Sequence, residues 1–366
     1  MVRVVILRSR STGGIESRVL RVATELRKAG HRVTAFLWDR EGAYAREETR
    51  EGIRIRRVHL PAPYNRLSLF LPLALWLLVA YRATRGARIV HACDLDTLPA
   101  ALAAKTLRGS RVVYDIFDFY GHLITAPLRA ETRQALLDAE VRLATHADAL
   151  ILPDEARRVV LPPAFPRPLE IVMNTPRERV VEVPKEEGFV LFHGGNLAPD
   201  RGLWEAASAL RGLENIRLRV VGTGELRARV EALAATEPHV TFLGEMEHAA
   251  FLEEMAKAHA VLAWYDPRVP ANRYASPNKL FEAMMLGIPV LVSAGTSMAD
   301  IVSRTGCGLV IPYGREDALQ EAILRLQDDP AVGEGMGSRG RRAYEREYNW
   351  DNMRARLRSL YDQIVV

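Results

Sequence analysis

The sequence predicts an α/β protein built from two consecutive doubly wound domains. Three observations carry this. The chain has 366 residues, too many for one typical core. Short apolar runs alternate with amphipathic stretches, the pattern of a parallel sheet with helices on both faces. The alternation breaks once, between Leu161 and Gly188, and then restarts.

In the first half, Val2–Leu7 reads as a buried strand and Glu16–Ala29 as a helix with Val19, Leu20, Val22, Ala23 and Leu26 on one side. Gly30 stops that helix, and Arg32–Leu37 follows as a strand. Further strands are expected at Ile53–His59, Arg88–His91, Arg111–Tyr114 and Ala149–Leu152. Leu161–Pro168 is proline-rich and Glu182–Gly188 is charged, with a short strand, EIVMN, between them. The second half repeats the pattern at Phe189–Phe192, Arg217–Val221, Val240–Leu243, Ala260–Trp264, Pro289–Val292 and Gly308–Ile311. Ser338–Val366 reads as helix interrupted at Tyr348-Asn349-Trp350. The predicted domains are residues 1–175 and 176–345, with 346–366 returning to the first. Ligands of such sheets bind beyond the carboxyl ends of the strands, so two facing sheets would form one cleft.

Composition narrows the function. Hydrophobic residues make up 48% and charged residues 26%, as in an ordinary globular protein. A net charge of +5, without a long basic run, argues against nucleic-acid binding. The two cysteines, Cys93 and Cys307, have no neighbour at metal-ligand spacing and suit a reducing cytoplasm. The N-terminus lacks the apolar region of a signal peptide and reads as a strand. The uncharged stretch Leu67–Tyr81 is shorter than the ~20 residues that span a bilayer. It reads as a buried helix of the first domain or, with Arg66, Arg82, Arg85 and Arg88 around it, as an interfacial helix on anionic lipid.

Four segments could carry chemistry. Gly13 and Gly14 lie between the first strand and helix, where free amides can meet an anion or a tight turn is needed. Gly222-Thr223-Gly224 follows a strand, but Arg227 stands where a dinucleotide fingerprint needs its third glycine, which disfavours a nicotinamide enzyme. Gly194-Gly195-Asn196 precedes Arg201, which falls near a helix start and could grip a pyrophosphate. The fourth, SPNKLFEAMMLGIPV, reads as a helix with Ser276 as N-cap, Pro277 as first residue and Gly287 as stop. Glu282 sits inside it among Leu280, Phe281, Ala283 and Met284, and a carboxylate there needs hydrogen-bonding partners such as ribose hydroxyls.

Taken together, TGGIESRVLRVATELRKAGHRV, VHACDLDTLPAALAAK, FHGGNLAPDRGLWEAASAL, LRVVGTGEL, VTFLGEM and SPNKLFEAMMLGIPVLVS resemble, in order, the segments of the large retaining glycosyltransferases of GT-B fold, group 1 or family 4. The resemblance spans nearly the whole chain and implies two Rossmann-like domains and transfer of a sugar from a nucleotide-sugar donor to a glycan, lipid-linked or small-molecule acceptor. It implies retention, no metal and no cofactor beyond the co-substrate. By position, Glu282 matches the ribose-binding glutamate and Arg201 the basic residue on the diphosphate. Gly13 and Gly14 match the donor-phosphate loop, and Ser276, Asn278, Lys279 and Leu280 the helix start at the donor. Gly244, Glu245 and Met246 match the segment beside the base, and Gly195, Gly222 and Gly224 belong to the matched donor-side loops. Three positions depart: Tyr274 stands where a second glutamate is common, Asn196 where an arginine is common, and Phe117 where a histidine is common. With that histidine missing, His91 and Asp118 are the candidates for the first-domain catalytic contact. Two other readings remain: a sugar-nucleotide 2-epimerase of the same architecture, and a non-catalytic partner subunit. A lipid-linked acceptor would place the protein at the inner face of the membrane.

Overall fold

A computed structural model describes residues 1–11, 14–62, 69–124 and 129–365. Gly13 and the start of the stretch Leu67–Tyr81 lie outside the described residues. The chain divides into two compact units: Met1–Met173 with Met353–Val366, and Asn174–Asn352.

The first unit holds β1 (Arg3–Ser11), β2 (Arg32–Asp39), β3 (Glu47–Arg50), β4 (Ile53–His59), β5 (Ile89–Cys93), β6 (Arg111–Asp115), β7 (Ala149–Leu152) and β8 (Leu169–Ile171). Their order in the sheet is β3-β4-β2-β1-β5-β6-β7-β8. All neighbours are parallel except β3 and β4. The second unit holds β9 (Phe189–Asn196), β10 (Ile216–Thr223), β11 (Val240–Phe242), β12 (Ala260–Ala263), β13 (Val290–Ser293) and β14 (Gly308–Ile311). This sheet is parallel throughout, in the order β11-β10-β9-β12-β13-β14. Each sheet starts in its middle: the chain runs outward on one side of β1 or β9 and then returns to the other side. The carboxyl ends of β1 and β9 are therefore the switch points where doubly wound sheets bind ligands. Both strands are buried on both faces, which explains their unbroken apolar runs, Val4–Leu7 and Phe189–Phe192.

Four features depart from the sequence reading. Strand β3 was not expected, since Glu47-Glu48-Thr49-Arg50 has no apolar residue. It is an exposed edge, held to β4 by Glu47 with Arg54 (2.8 Å) and Arg56 (2.9 Å) and by Glu48 with Arg57 (2.7 Å). The two-residue turn Glu51-Gly52 has positive φ at both positions (50° and 75°), as a tight hairpin requires. Second, of the two readings of Leu67–Tyr81 the buried one does not hold: the helix is Phe70–Ala83, with only Trp76 and Ala80 buried. Phe70, Leu71, Leu75 and Leu78 are exposed, and Pro72 sits in the first turn, where a missing N–H costs nothing.

Third, Ser276 is not an N-cap. The helix is Asn278–Leu286, Pro277 holds the cap position with extended backbone, and the buried Ser276 Oγ has no partner. Because Pro277 is itself extended (ψ 146°) and the helix begins only at Asn278, the serine lies one position too early to cap. Gly287 does end this helix, at φ 68°. Fourth, the C-terminal helical region starts at Pro330, well before Ser338, as the helix Pro330–Arg346. Its glycines obscured it. A side chain at Gly337 would collide with the carbonyl of Gly287, so this glycine is there to let two backbones touch. The last helix, Trp350–Val365, crosses from Asn352 of the second unit into the first at Met353.

Candidate functional site

In the second unit the polar residues gather at the carboxyl end of the sheet. Strand β9 ends in His193-Gly194-Gly195-Asn196. A side chain at Gly194 would strike Phe192 and Phe251, and one at Gly195 (φ 109°) would meet the Lys279 stem. Gly222 on β10 and Gly224 just after it serve the same close approach: a side chain at Gly222 would collide with the backbone of Gly195, and one at Gly224 with that of Leu197. Both glycines thus hold β10 against the end of β9. The Gly222 N–H donates to the carbonyl of Gly244 (2.8 Å), which starts the loop carrying Glu245 and Met246.

Arg201 follows β9 on a short turn that Gly202 reverses at φ 67°. Its guanidinium lies over the Tyr265 ring, 4.1 Å from the centroid, and the Lys279 ammonium lies 5.3 Å from the same centroid. Asp200 is 3.7 Å from Arg201 Nε, too far for a hydrogen bond, and that buried nitrogen has no partner. The Arg201 turn is braced from behind. Asn272 Nδ2 donates to the Asp200 carboxylate (2.6 Å) and the Asp266 carbonyl (3.1 Å), and Asp266 N–H donates to the Asp200 carbonyl (3.0 Å). Lys279, in the first turn of its helix, is 6% exposed, and burial lowers its pKa, with Arg201 adding to the effect against Tyr265 and Glu282. Asn278 is exposed beside it and Leu280 is buried.

Glu282 is buried in the same helix, and its Oε1 accepts a hydrogen bond from His248 Nε2 at 2.8 Å. His248 is largely exposed, so the sequence-predicted need for a partner is met by a side chain from a neighbouring helix, at the surface. Most buried polar atoms in folded proteins are hydrogen-bonded. Here His193 Nδ1 and Nε2, Arg201 Nε, Asn272 Oδ1, Ser276 Oγ and Ser293 Oγ are not.

The first unit holds a second polar cluster, at the ends of β1, β5 and β6. Arg8 pairs with Asp94 and with Glu16 (3.0 Å), and its guanidinium covers the Phe117 ring at 4.2 Å. Asp94 adopts a left-handed φ of 67° and accepts the Phe117 N–H at 2.8 Å. Burial pushes the Asp94 carboxyl up to about 6 despite Arg8. Ser9 Oγ donates to Asp96, whose other carboxylate oxygen is buried without a partner. Arg18 donates two hydrogen bonds to Asp115 (2.6 and 3.1 Å) and one to the Val172 carbonyl (2.6 Å).

His91 is 1% exposed, with Nδ1 at 2.7 Å from the Tyr361 hydroxyl and Nε2 at 3.2 Å from Asp115. Both ring nitrogens are engaged inside the unit. Asp118 is partly exposed and paired with Arg157. Among the described residues, His91, Cys93 and Asp115 have donor atoms close enough together to share a metal ion. A cation there would compete with the Arg18 guanidinium for Asp115. Gly14 is described, but Gly13 is not. Arg8, Arg18, Asp94, Asp96 and Asp115 were missed from sequence. The signal was thin: charged residues at the ends of apolar runs, which look like strand boundaries.

Comparison with known proteins agrees with the two-unit fold. Residues 13–173 match the glycosyl transferase 4-like domain, and residues 189–329 match glycosyl transferases group 1. The chain is 24% identical over 298 residues to a GDP-mannose-dependent monoacylated alpha-(1-6)-phosphatidylinositol monomannoside mannosyltransferase of Corynebacterium glutamicum, covering 75% of this chain and 78% of that protein. Several other curated relatives are matched over about half of their length. Among solved structures, sucrose-phosphate synthase from Thermosynechococcus elongatus superposes with a TM-score of 0.79 at 20% identity, over 99% of both chains. Anabaena HepE in complex with UDP superposes with a TM-score of 0.74 at 16% identity, over 99% of this chain and 100% of that one. Two family models matched in sequence order, on two doubly wound units, make the chain a member of the group 1 glycosyltransferases, with GT-B architecture.

Proposed function

We propose that this glycosyltransferase moves a hexosyl group from a nucleotide sugar to a glycan or lipid-linked acceptor, with retention and without a metal ion. One observation carries the donor assignment: Arg201 and Lys279, two cations stacked on one ring, lie among buried polar atoms that have no partner at the end of β9. Two fixed cations of this kind suit a diphosphate leaving group, whose developing charge they would stabilise without reorganising. Glu282 would hold the ribose, its hydroxyls sharing or taking the place of His248. The bond from the anomeric carbon to the phosphate oxygen breaks, the bond to the acceptor oxygen forms on the same face, and the acceptor proton passes to the leaving phosphate. No carboxylate nucleophile is needed, in contrast with most retaining glycosidases. In the first unit, the polar cluster of Arg8, Asp94 and Asp96, with Asp118, would meet the acceptor.

The Corynebacterium relative is named for GDP-mannose and a phosphatidylinositol glycolipid, which supports GDP-mannose as the first donor to test. The exposed apolar face of Phe70–Ala83 suits a lipid-linked acceptor at the inner face of a membrane. No described helix is long and apolar enough to cross one.

Calorimetry with GDP-mannose and UDP-glucose tests the donor site. Glu282→Ala and Arg201→Ala should each weaken binding by about tenfold or more, as loss of a charged hydrogen-bonding group does, with unchanged circular dichroism. Normal affinity in both variants rejects the assignment. NMR of the product decides the reaction: an α-linked glycoside from an α-linked donor supports retention, whereas an epimerised nucleotide sugar overturns the transferase reading.

A further inference from the structure

His193 is fully buried at the end of the central strand of the second unit, and neither ring nitrogen has a hydrogen-bond partner. Among the described buried histidines it is the one left unpaired at both nitrogens. An unpaired polar group in a protein interior costs about 1–3 kcal/mol, so the ring is either a defect or half of an interaction completed by a ligand. Its surroundings decide between these. The charged groups that bear on it are Lys279 and Arg201, both positive. Burial, then Lys279 and Arg201, drives its pKa well below the ordinary value. The ring is therefore neutral, with one N–H and one lone pair. The next two residues are Gly194, where a side chain would strike Phe251, and Gly195, whose φ of 109° favours glycine beside the Lys279 stem.

We propose that His193 is a donor-binding residue, whose ring N–H completes the diphosphate site formed by Arg201 and Lys279. An ammonium, a guanidinium and an imidazole N–H at one strand end are all donors, and the ligand that satisfies all three is an acceptor-only polyanion. The Tyr265 ring is the platform that keeps the two cations together before the anion arrives, offsetting their mutual repulsion through its negative face. A neutral third donor is then the better choice, because a third full charge in this buried place would raise the repulsion further. This inference rests on the donor-site reading above and adds a residue for which the sequence offered only a place in a glycine-rich strand end.

The test compares the full chain with His193→Phe and His193→Asn. Phenylalanine keeps the ring and removes both nitrogens; asparagine keeps a donor. Calorimetry is run with a nucleoside diphosphate and with the matching nucleoside monophosphate, and thermal unfolding is measured without ligand. The expected result for His193→Phe is a loss of about tenfold in diphosphate affinity, little change with the monophosphate, and a ligand-free melting temperature equal to or above that of the parent chain. His193→Asn should recover part of the lost affinity. Unchanged diphosphate affinity in His193→Phe overturns the inference, as does an equal loss with both nucleotides or a loss that His193→Asn does not relieve. If the parent chain binds no nucleoside diphosphate, the donor-site reading itself fails; if the parent binds and His193→Phe binds equally well, only the role of His193 fails.

Discussion

Asp115 and Glu140 show how burial and partners set opposite charge states within one unit. Burial alone would raise Asp115, but the Arg18 guanidinium and His91 outweigh it and hold its carboxyl at about 2. The folded state thus prefers the ionised form, and the stability this contributes is present above the ordinary carboxylate pKa and lost as pH falls towards 2. Glu140 is the reverse. Burial lifts it to about 8, although the Tyr114 hydroxyl (2.7 Å) and the Tyr120 N–H (2.8 Å) donate to it. The folded state holds a proton that the unfolded chain releases at an ordinary pKa, so stability declines as pH rises from the ordinary glutamate value to about 8. The slope is about 1.4 kcal/mol per pH unit at most. Glu140→Gln, which cannot ionise, should flatten this decline between pH 5 and 8; urea midpoints measured across that range check it. An unchanged slope would show that Glu140 is ionised in the folded protein. At this scale sequence reading was uneven. The helix that carries Lys279 and Glu282 and the turn that carries Arg201 were legible because a glycine stop and a glycine turn frame them. Asp94 and Arg8 were not, since their pairing joins two strands distant in the chain and depends on a left-handed backbone at an aspartate.

Elements were legible where their period was apolar. The parallel strands follow from runs such as Val4–Leu7 and Phe189–Phe192, and their ends extend further only where polar residues continue the ladder, as with Arg8-Ser9 and His193-Gly194. Strand β3 was invisible because cross-strand ion pairs, not apolar side chains, hold it. The helix Pro330–Arg346 was half hidden because the glycines that lower helix propensity are the ones that allow contact with the end of Asn278–Leu286. Gly337→Ala should therefore destabilise despite improving helix propensity, by about 1–3 kcal/mol as overpacking does. Chemical denaturation reads this directly, and a gain in stability would show that the two helices can separate at no cost. The helix Phe70–Ala83 makes a separate prediction. Trp76 anchors it, stacked on Trp38 (5.4 Å) and Phe36 (5.7 Å), and donates its indole N–H to the Asp96 carbonyl (3.0 Å). Its apolar face is thereby fixed outward. Leu71→Glu with Leu78→Glu should reduce sedimentation with anionic phospholipid vesicles while leaving nucleotide affinity intact. Equal sedimentation of the double variant and the parent would exclude this face as the lipid contact.

For the whole molecule, the alternation of strand and helix and its single interruption were enough to anticipate two parallel sheets. What the sequence withheld was which buried polar groups would lack partners, because that depends on contacts between residues far apart in the chain. A donor that supplies those partners binds the folded state alone and must raise apparent stability, by about 2.7 kcal/mol at a hundredfold excess over its dissociation constant. A thermal-shift panel of nucleoside diphosphates and their sugars should therefore single out one base.

The return of the last helix to the first unit has a consequence for the order of folding during synthesis. Met353, Leu357, Leu360, Tyr361 and Ile364 are buried there, Tyr361 closes the His91 network, and Arg358 reaches Glu25 (3.3 Å). These residues leave the ribosome only after the whole second unit has been made. The second unit is continuous in the chain and can finish as soon as it emerges, whereas the first, begun earlier, must wait with an uncovered surface. A released chain truncated before residue 353 should accordingly show a protease-resistant second unit beside a protease-sensitive first one, a hierarchy opposite to the order of translation.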